Sequence, residues 1–138
     1  MTLILVHGLA SRCEEWTELA PLFPAERYTL YRLDLLGSGE SSKPKKTDYS
    51  IQAHSERLLC FLERKSLSAV TLLGHSLGGA VVLLASIEAM LAGKRDLLRS
   101  MVIMAGPGYL QRLLSSRKYS GSLWPGRSSS PFMLPRYC

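Results

Sequence analysis

The sequence contains no apolar run long enough to cross a membrane. A membrane-spanning helix needs about 20 consecutive apolar residues, and no stretch of the 138 residues approaches that length. The apolar N-terminus, residues 1–6, has no basic leader and is followed directly by His7 and Gly8. We therefore expect a β-strand at the N-terminus, with neither a signal peptide nor a membrane span.

Cysteine is scarce, and the three residues, Cys13, Cys60 and Cys138, form no Cys-x-x-Cys pair. An odd number at wide spacing argues against a disulfide framework and against a zinc site. Cys60 lies in the apolar run 58–62, so we expect it to pack in the interior. Because we expect reduced cysteines and no export signal, we expect a cytoplasmic location.

Acidic residues are absent from the C-terminal segment 115–138, which carries four basic residues. The rest of the chain has 13 basic and 11 acidic residues, so most of the formal charge of +6 belongs to this segment. No basic groove with interleaved aromatic residues is evident, and we expect no nucleic-acid partner. The segment is rich in serine, proline and glycine without apolar periodicity. We predict one domain over residues 1–114 and a disordered or aberrant tail over 115–138.

Short apolar runs alternate with longer amphipathic or apolar ones along residues 1–114. The short runs predict strands and the longer ones predict helices, the second of which has Ser50 as its N-cap. The predicted strands are 3–6, 28–34, 69–73 and 101–105, and the predicted helices are 14–23, about 51–62 and 77–91. Apolar strands separated by helices indicate an α/β fold, with a mostly parallel sheet flanked by helices. The carboxyl ends of the strands then lie along one edge.

The motif Gly74-x-Ser76-x-Gly78 lies between the third predicted strand and the apolar helix that follows it. This pattern is typical of a nucleophile elbow, in which the serine projects from a strained strand-to-helix turn and the small residues relieve crowding. The first free N–H of the helix, that of Leu77, would face a developing oxyanion. The alternative is an ordinary glycine-rich turn.

Three segments together resemble the α/β-hydrolase family of serine esterases and lipases, over residues 3 to about 106. They are residues 6–9 (Val-His-Gly-Leu), 34–41 (Asp-Leu-Leu-Gly-Ser-Gly-Glu-Ser) and 74–79 (Gly-His-Ser-Leu-Gly-Gly). The resemblance implies a truncated α/β-hydrolase fold with strand order second, first, third, fourth. It also implies Ser76 as nucleophile and the N–H groups of Leu9 and Leu77 as oxyanion donors, with Gly8, Gly74 and Gly78 as structural glycines.

Members that hydrolyse epoxides or haloalkanes have an aspartate in place of the serine, so Ser76 implies acyl transfer on a small-molecule ester or similar substrate. No metal or organic cofactor is implied. The resemblance makes Asp34 a residue that fixes its loop, and we interpret His7 and His75 as structural. His54 is expected on the surface.

No histidine follows Ser76, and the later acids are only Glu88 and Asp96. In this fold the acid and the histidine of the triad follow the serine in the chain, so we expect neither in this chain. Three hypotheses remain: a truncated or frameshifted gene, a non-catalytic α/β-hydrolase-like fragment or binding module, and a half-enzyme. The half-enzyme would self-associate or accept a complementing chain at the open edge of the fourth strand.

Overall fold

The computed structural model describes residues 1–106 and the backbone of residues 136–137. The strands are β1 (Thr2–Val6), β2 (Thr29–Asp34), β3 (Val70–His75), β4 (Leu98–Met104) and β5 (Arg136–Tyr137). The α-helices are α1 (Ile51–Arg64) and α2 (Leu77–Leu91). Three short 3₁₀ helices are Cys13–Trp16, Ala20–Leu22 and Arg95–Leu97.

The strands form one sheet in the order β4-β3-β1-β2-β5. The first four are parallel, with Leu3 of β1 between Leu30 of β2 and Thr71 of β3. The predicted order of second, first, third, fourth is therefore confirmed. The short β5 pairs antiparallel with the end of β2.

Apolar residues cover both faces of the sheet, because successive side chains of a strand point to opposite sides. Ile4 and Val6 face α1 and α2 in the larger of two core clusters. Leu3 and Leu5 face the opposite side, where Trp16 covers them. The α/β class and the parallel sheet are as the sequence predicts.

The predicted helix over residues 14–23 is wrong. Two separate 3₁₀ turns occupy this region, one ending at Trp16 and one containing Pro21. Proline has no N–H for the helical ladder, and its ring would clash with the carbonyl four residues earlier. Trp16 is nevertheless buried, whereas Leu22 is exposed. The apolar spacing therefore predicted the buried position of Trp16 correctly, although the segment forms two 3₁₀ turns and not one α-helix.

The helices α1 and α2 agree with their predicted positions. The Ser50 hydroxyl caps α1 by accepting a hydrogen bond from the N–H of Ala53 at 3.1 Å, as predicted. Most of α2 is buried, in agreement with its apolar composition. No helix in the described part of the chain is long and apolar enough to span a bilayer.

The cysteines differ from their expected states. Cys13 is disulfide-bonded, so the expectation that the cysteines form no disulfide is wrong at this residue. Cys60 is a free thiol and only partly buried. The predicted tail, 115–138, lies outside the described residues except for the backbone of β5, and the division at residue 114 stays a prediction.

Candidate active site

Ser76 lies at the turn between β3 and α2 with a left-handed backbone conformation, φ 49° and ψ −113°. This conformation is uncommon for residues other than glycine and persists only where neighbouring structure holds it. The N–H of Ser76 donates to the carbonyl of Met104 on β4 at 2.9 Å, and its carbonyl accepts from the N–H of Ala80 on α2 at 3.2 Å. Hydrogen bonds from both sides therefore hold the turn.

The glycines on either side of Ser76 lie where no side chain fits. A β-carbon on Gly74 would overlap the carbonyl of Gly78, and one on Gly78 would overlap the carbonyl of Val6. The first turn of α2 thus packs directly against the ends of both β3 and β1. This close approach is the steric reason for the Gly-x-Ser-x-Gly spacing.

The loop after β1 lies beside the serine. A β-carbon on Gly8 would be 3.0 Å from His75 Nδ1 and 3.4 Å from the β-carbon of Ser76. Leu9, the next residue, is 77% exposed, and Leu77 is the first residue of α2. The structure therefore brings Gly8 and the elbow together, as the sequence motifs require.

The buried His7 ties this loop to the end of β2. Its Nδ1 donates to the carbonyl of Gly8 at 2.7 Å, and its Nε2 accepts from the N–H of Leu35 at 3.1 Å. Both ring nitrogens are therefore engaged with the backbone. This arrangement agrees with the structural interpretation of His7.

Asp34, also buried, holds the loop that follows β2. One carboxylate oxygen accepts from the N–H of Cys13 at 2.7 Å, and the other accepts from the N–H of Glu40 at 2.7 Å. The Ser41 hydroxyl donates to the Asp34 carbonyl at 2.7 Å. Gly39 approaches the carboxylate so closely that a β-carbon there would overlap it. Asp34 thus fixes its loop, as the resemblance implies.

Glu15 is a site residue that sequence reasoning missed. Its Oε1 lies 2.6 Å from His75 Nδ1, and its Oε2 accepts from the N–H of Gly8 at 3.0 Å. Burial alone would raise the pKa of Glu15, but hydrogen bonds from Ser11, Gly8 and His75 lower that pKa below its ordinary value. No local pattern places this residue beside His75, which is 60 positions later.

His54 is buried, and its expected surface position is wrong. It lies near the N-terminus of α1 with its ring 6.3 Å from that of Tyr49, centroid to centroid. Burial, with further contributions from the charges of Arg57 and His7, lowers the pKa of His54 to about 4. Its polar neighbours Ser55 and Arg57 are themselves buried, so polar residue types in this segment did not indicate exposure.

Neither late acid can serve Ser76. Glu88 is buried on α2, twelve residues after the serine, about 18 Å at helical rise, and it accepts from Gln52 at 2.7 Å and Ser55 at 2.9 Å. Asp96 directly precedes β4. It therefore lies at the amino ends of the parallel strands, whereas Ser76 lies at their carboxyl ends. The absence of a triad acid from this chain stays a prediction.

One group of potential metal ligands occurs in the described part of the chain: Cys13, Glu14 and Asp34. Cys13 is disulfide-bonded, and both carboxylate oxygens of Asp34 already accept backbone N–H bonds. This donor set does not suit a metal, since its thiol is not free and its buried carboxylate is engaged.

The chain belongs to the family described as the alpha/beta hydrolase fold, whose model matches residues 2–127. It is 31% identical over 111 residues to the "Uncharacterized hydrolase YugF" of Bacillus subtilis, covering 80% of this chain and 38% of that protein. It is 40% identical over 80 residues to "Lipase 1" of Psychrobacter immobilis, covering 57% of this chain and 25% of the lipase.

Among solved structures, that of a "membrane phospholipase A, a novel bacterial virulence factor" superposes with a TM-score of 0.67 at 31% identity. The match covers 78% of this chain and 33% of the phospholipase. The chain thus spans about a quarter to two fifths of the length of these relatives. Hydrolases with esterase and lipase names are accordingly its relatives.

Proposed function

We propose that Ser76 is the nucleophile of a serine hydrolase that acts on an ester or a similar acyl bond of a small molecule. The observation that carries the proposal is the left-handed conformation of Ser76 at the start of α2, with φ 49°. Backbone strain of this kind is concentrated at functional sites. Of the five non-glycine residues with positive φ in the described part of the chain, Ser76 alone joins the end of a strand directly to the first turn of a helix.

The N–H groups of Leu9 and Leu77 are the proposed oxyanion donors. The Gly8 carbonyl accepts from His7 Nδ1 at 2.7 Å and from the N–H of Ser11 at 3.3 Å. Because a trans peptide is planar, the Leu9 N–H points away from that carbonyl and stays free of the bonds that hold it. The N–H of Leu77 belongs to the first turn of α2, where the helix dipole favours negative charge.

A serine at the elbow favours acyl transfer. Its oxygen would attack the carbonyl carbon, its proton would pass to a base, and the alcohol would leave to give an acyl-serine that water hydrolyses. The names of two relatives, a lipase and a phospholipase A, denote enzymes that act on lipid esters. They support an ester substrate as a class for this chain.

We propose further that the 138-residue chain turns over esters very slowly, because no histidine follows Ser76. Without a base the hydroxyl is a poor nucleophile. Loss of triad members leaves roughly 10³–10⁴-fold acceleration over water, from binding and the oxyanion hole. Brisk hydrolysis of p-nitrophenyl acetate, abolished by Ser76→Ala, would contradict this proposal.

The competing function is that of a non-catalytic α/β-hydrolase-like fragment or binding module. Its supporting observation is β4, an edge strand of the described sheet that is exposed over most of its length. A complementing chain or a second copy would pair there. On this view Ser76 is structurally strained but chemically inert.

Labelling with a fluorophosphonate probe separates the two functions. We expect the folded chain to label at Ser76 at least about tenfold faster than the same chain in urea, since the oxyanion donors act only in the folded state. Ser76→Ala should abolish this labelling, and the matched control Ser86→Ala should not change it. The Ser86 hydroxyl lies on the same helix but donates to the Val82 carbonyl at 2.7 Å. Equal labelling of folded and unfolded chains would support the binding module.

A cytoplasmic location implies reduced cysteines, whereas a disulfide at Cys13 is typical of oxidising compartments. Titration of free thiols in unreduced protein from its native cells tests the location. Three reactive thiols per chain would support the cytoplasm, and fewer than three would contradict it.

A further inference from the structure

Glu15 joins the two loops that build the candidate site. Its Oε2 accepts from the N–H of Gly8, which follows β1, at 3.0 Å, and its Oε1 lies 2.6 Å from Nδ1 of His75, which ends β3. Gly8 follows β1 and His75 ends β3, and each adjoins a residue that the proposed chemistry uses. A single carboxylate therefore spans the gap between the Leu9 loop and the Ser76 elbow.

We propose that Glu15 is a positioning residue, whose carboxylate clamps the Gly8 amide to the His75 imidazole and so fixes the Leu9 N–H relative to Ser76. The inference rests on the proposed function. It concerns a residue outside the three motifs that carry the family resemblance.

Contacts on both sides of Gly8 support this role. Its N–H is held by Glu15, and its carbonyl is held by His7 Nδ1 at 2.7 Å and by the N–H of Ser11 at 3.3 Å. With both polar groups bound, the peptide that contains the Leu9 N–H has little freedom to rotate. Removing the Glu15 carboxylate releases one side of this arrangement.

The chemistry of a carboxylate suits the clamp. Ionised carboxylates offer two oxygens, and hydrogen bonds to them are shorter and stronger than those to neutral acceptors. Glu15 is only partly buried, and its hydrogen bonds hold its pKa below the ordinary value for a glutamate. It is therefore ionised near neutral pH, and its charge is met by the imidazole and the amide N–H.

The test compares the full chain with two variants. Glu15→Gln keeps the side-chain shape and removes the charge. Glu14→Gln makes the same chemical change one residue earlier, at an exposed side chain paired with Arg12 at 3.2 Å. Circular dichroism verifies that all three chains are folded. Two readouts follow: the fluorophosphonate labelling rate of Ser76, and the amide chemical shift of Gly8 as a function of pH.

We expect Glu15→Gln to slow labelling about tenfold, because a neutral amide oxygen replaces the charged acceptor and its hydrogen bonds are about half as strong. Glu14→Gln should change the rate by less than about twofold. The Gly8 amide shift should titrate with an apparent pKa lower than that of an ordinary glutamate in the wild type and in Glu14→Gln, and should be flat in Glu15→Gln. A residue that contributes only to stability would not give this signature at Gly8.

Unchanged labelling in Glu15→Gln would overturn the positioning role if the wild type labels rapidly. A Gly8 amide that does not titrate in the wild type would overturn the clamp, and this measurement needs no variant. Failure of the proposed function looks different. In that case wild-type Ser76 labels no faster folded than unfolded, while the Gly8 titration still decides whether the clamp exists.

Discussion

Gly78 lies so close to Val6 that a β-carbon on the glycine would overlap the valine carbonyl oxygen. The contact joins the first turn of α2 to the end of β1, which are 72 positions apart in the sequence. It sets the distance between the loop that carries Leu9 and the turn that carries Ser76. The group that a β-carbon on Gly78 would overlap is a backbone carbonyl. Unlike a side chain, it cannot change rotamer to relieve the overlap.

We therefore predict that Gly78→Ala destabilises the chain by about 1–3 kcal/mol, the typical cost of overpacking. Gly79→Ala is the matched control in the same helical turn. A β-carbon at Gly79 would be 2.9 Å from Cγ2 of Ile103 and 3.3 Å from the Gly74 carbonyl oxygen, a milder overlap than the 2.2 Å to the Val6 carbonyl oxygen at Gly78. Urea unfolding gives both values. Equal effects of the two substitutions would show that the Val6 carbonyl does not constrain the turn.

A second prediction concerns Asp34, whose carboxylate accepts N–H bonds from Cys13 and Glu40. Asp34→Ala leaves these two N–H groups without an acceptor. The Cys13 N–H is buried and would cost about 1–3 kcal/mol, whereas the part-buried Glu40 N–H can be reached by water and would cost less. We expect a loss of about 1–4 kcal/mol in the free energy of unfolding. Asp96→Ala, at an exposed position, should change it by less than about 0.5 kcal/mol. A small effect at Asp34 would contradict its loop-fixing role.

A third prediction is acid sensitivity caused by His54. Its pKa is about 4 in the folded chain, against an ordinary value of about 6.5. Between these values the unfolded chain binds a proton that the folded chain does not, so stability falls as the pH is lowered from 6.5 to 4 and is unaffected by this group above 6.5. The loss amounts to at most about 3 kcal/mol.

The measurement is the free energy of unfolding at several pH values, compared between the wild type and His54→Gln. The difference between the two curves isolates His54 from the other titrating groups. We expect the difference to change between pH 6.5 and 4 and to be constant above pH 7. A difference that is constant over the whole range would mean that His54 titrates normally.

A fourth prediction concerns the exposed edge strand β4, which carries Met101, Val102, Ile103 and Met104 in partly exposed positions. An apolar edge with unpaired backbone groups promotes association. We expect concentration-dependent self-association in size-exclusion chromatography with light scattering. Val102→Lys should reduce it, whereas Leu22→Lys, at an exposed residue outside the sheet, should not. A stable monomer at every concentration would argue against an interface at β4.

The strands, the order of the parallel sheet and α2 follow from the sequence because each rests on local signals. Short apolar runs predict strands, and the fifteen-residue segment 77–91, which is apolar nearly all round, predicts a buried helix. The error at residues 14–23 arose because the helical spacing of the apolar residues predicted one α-helix, with Pro21 and Pro24 taken to mark its end. Buried Trp16 required an apolar position there but did not require an α-helix.

The α/β class, the turn around Ser76 and the glycines that its close packing requires could be predicted from the sequence, because the lack of a β-carbon is a property of the residue type. The contact of Glu15 with His75 and Gly8 and the burial of His54 could be seen only in the folded chain. These depend on how the segments after β1 and β2 fold back over the sheet. Chain positions 60 apart meet there through long-range packing, which leaves no periodic or compositional signal along the chain.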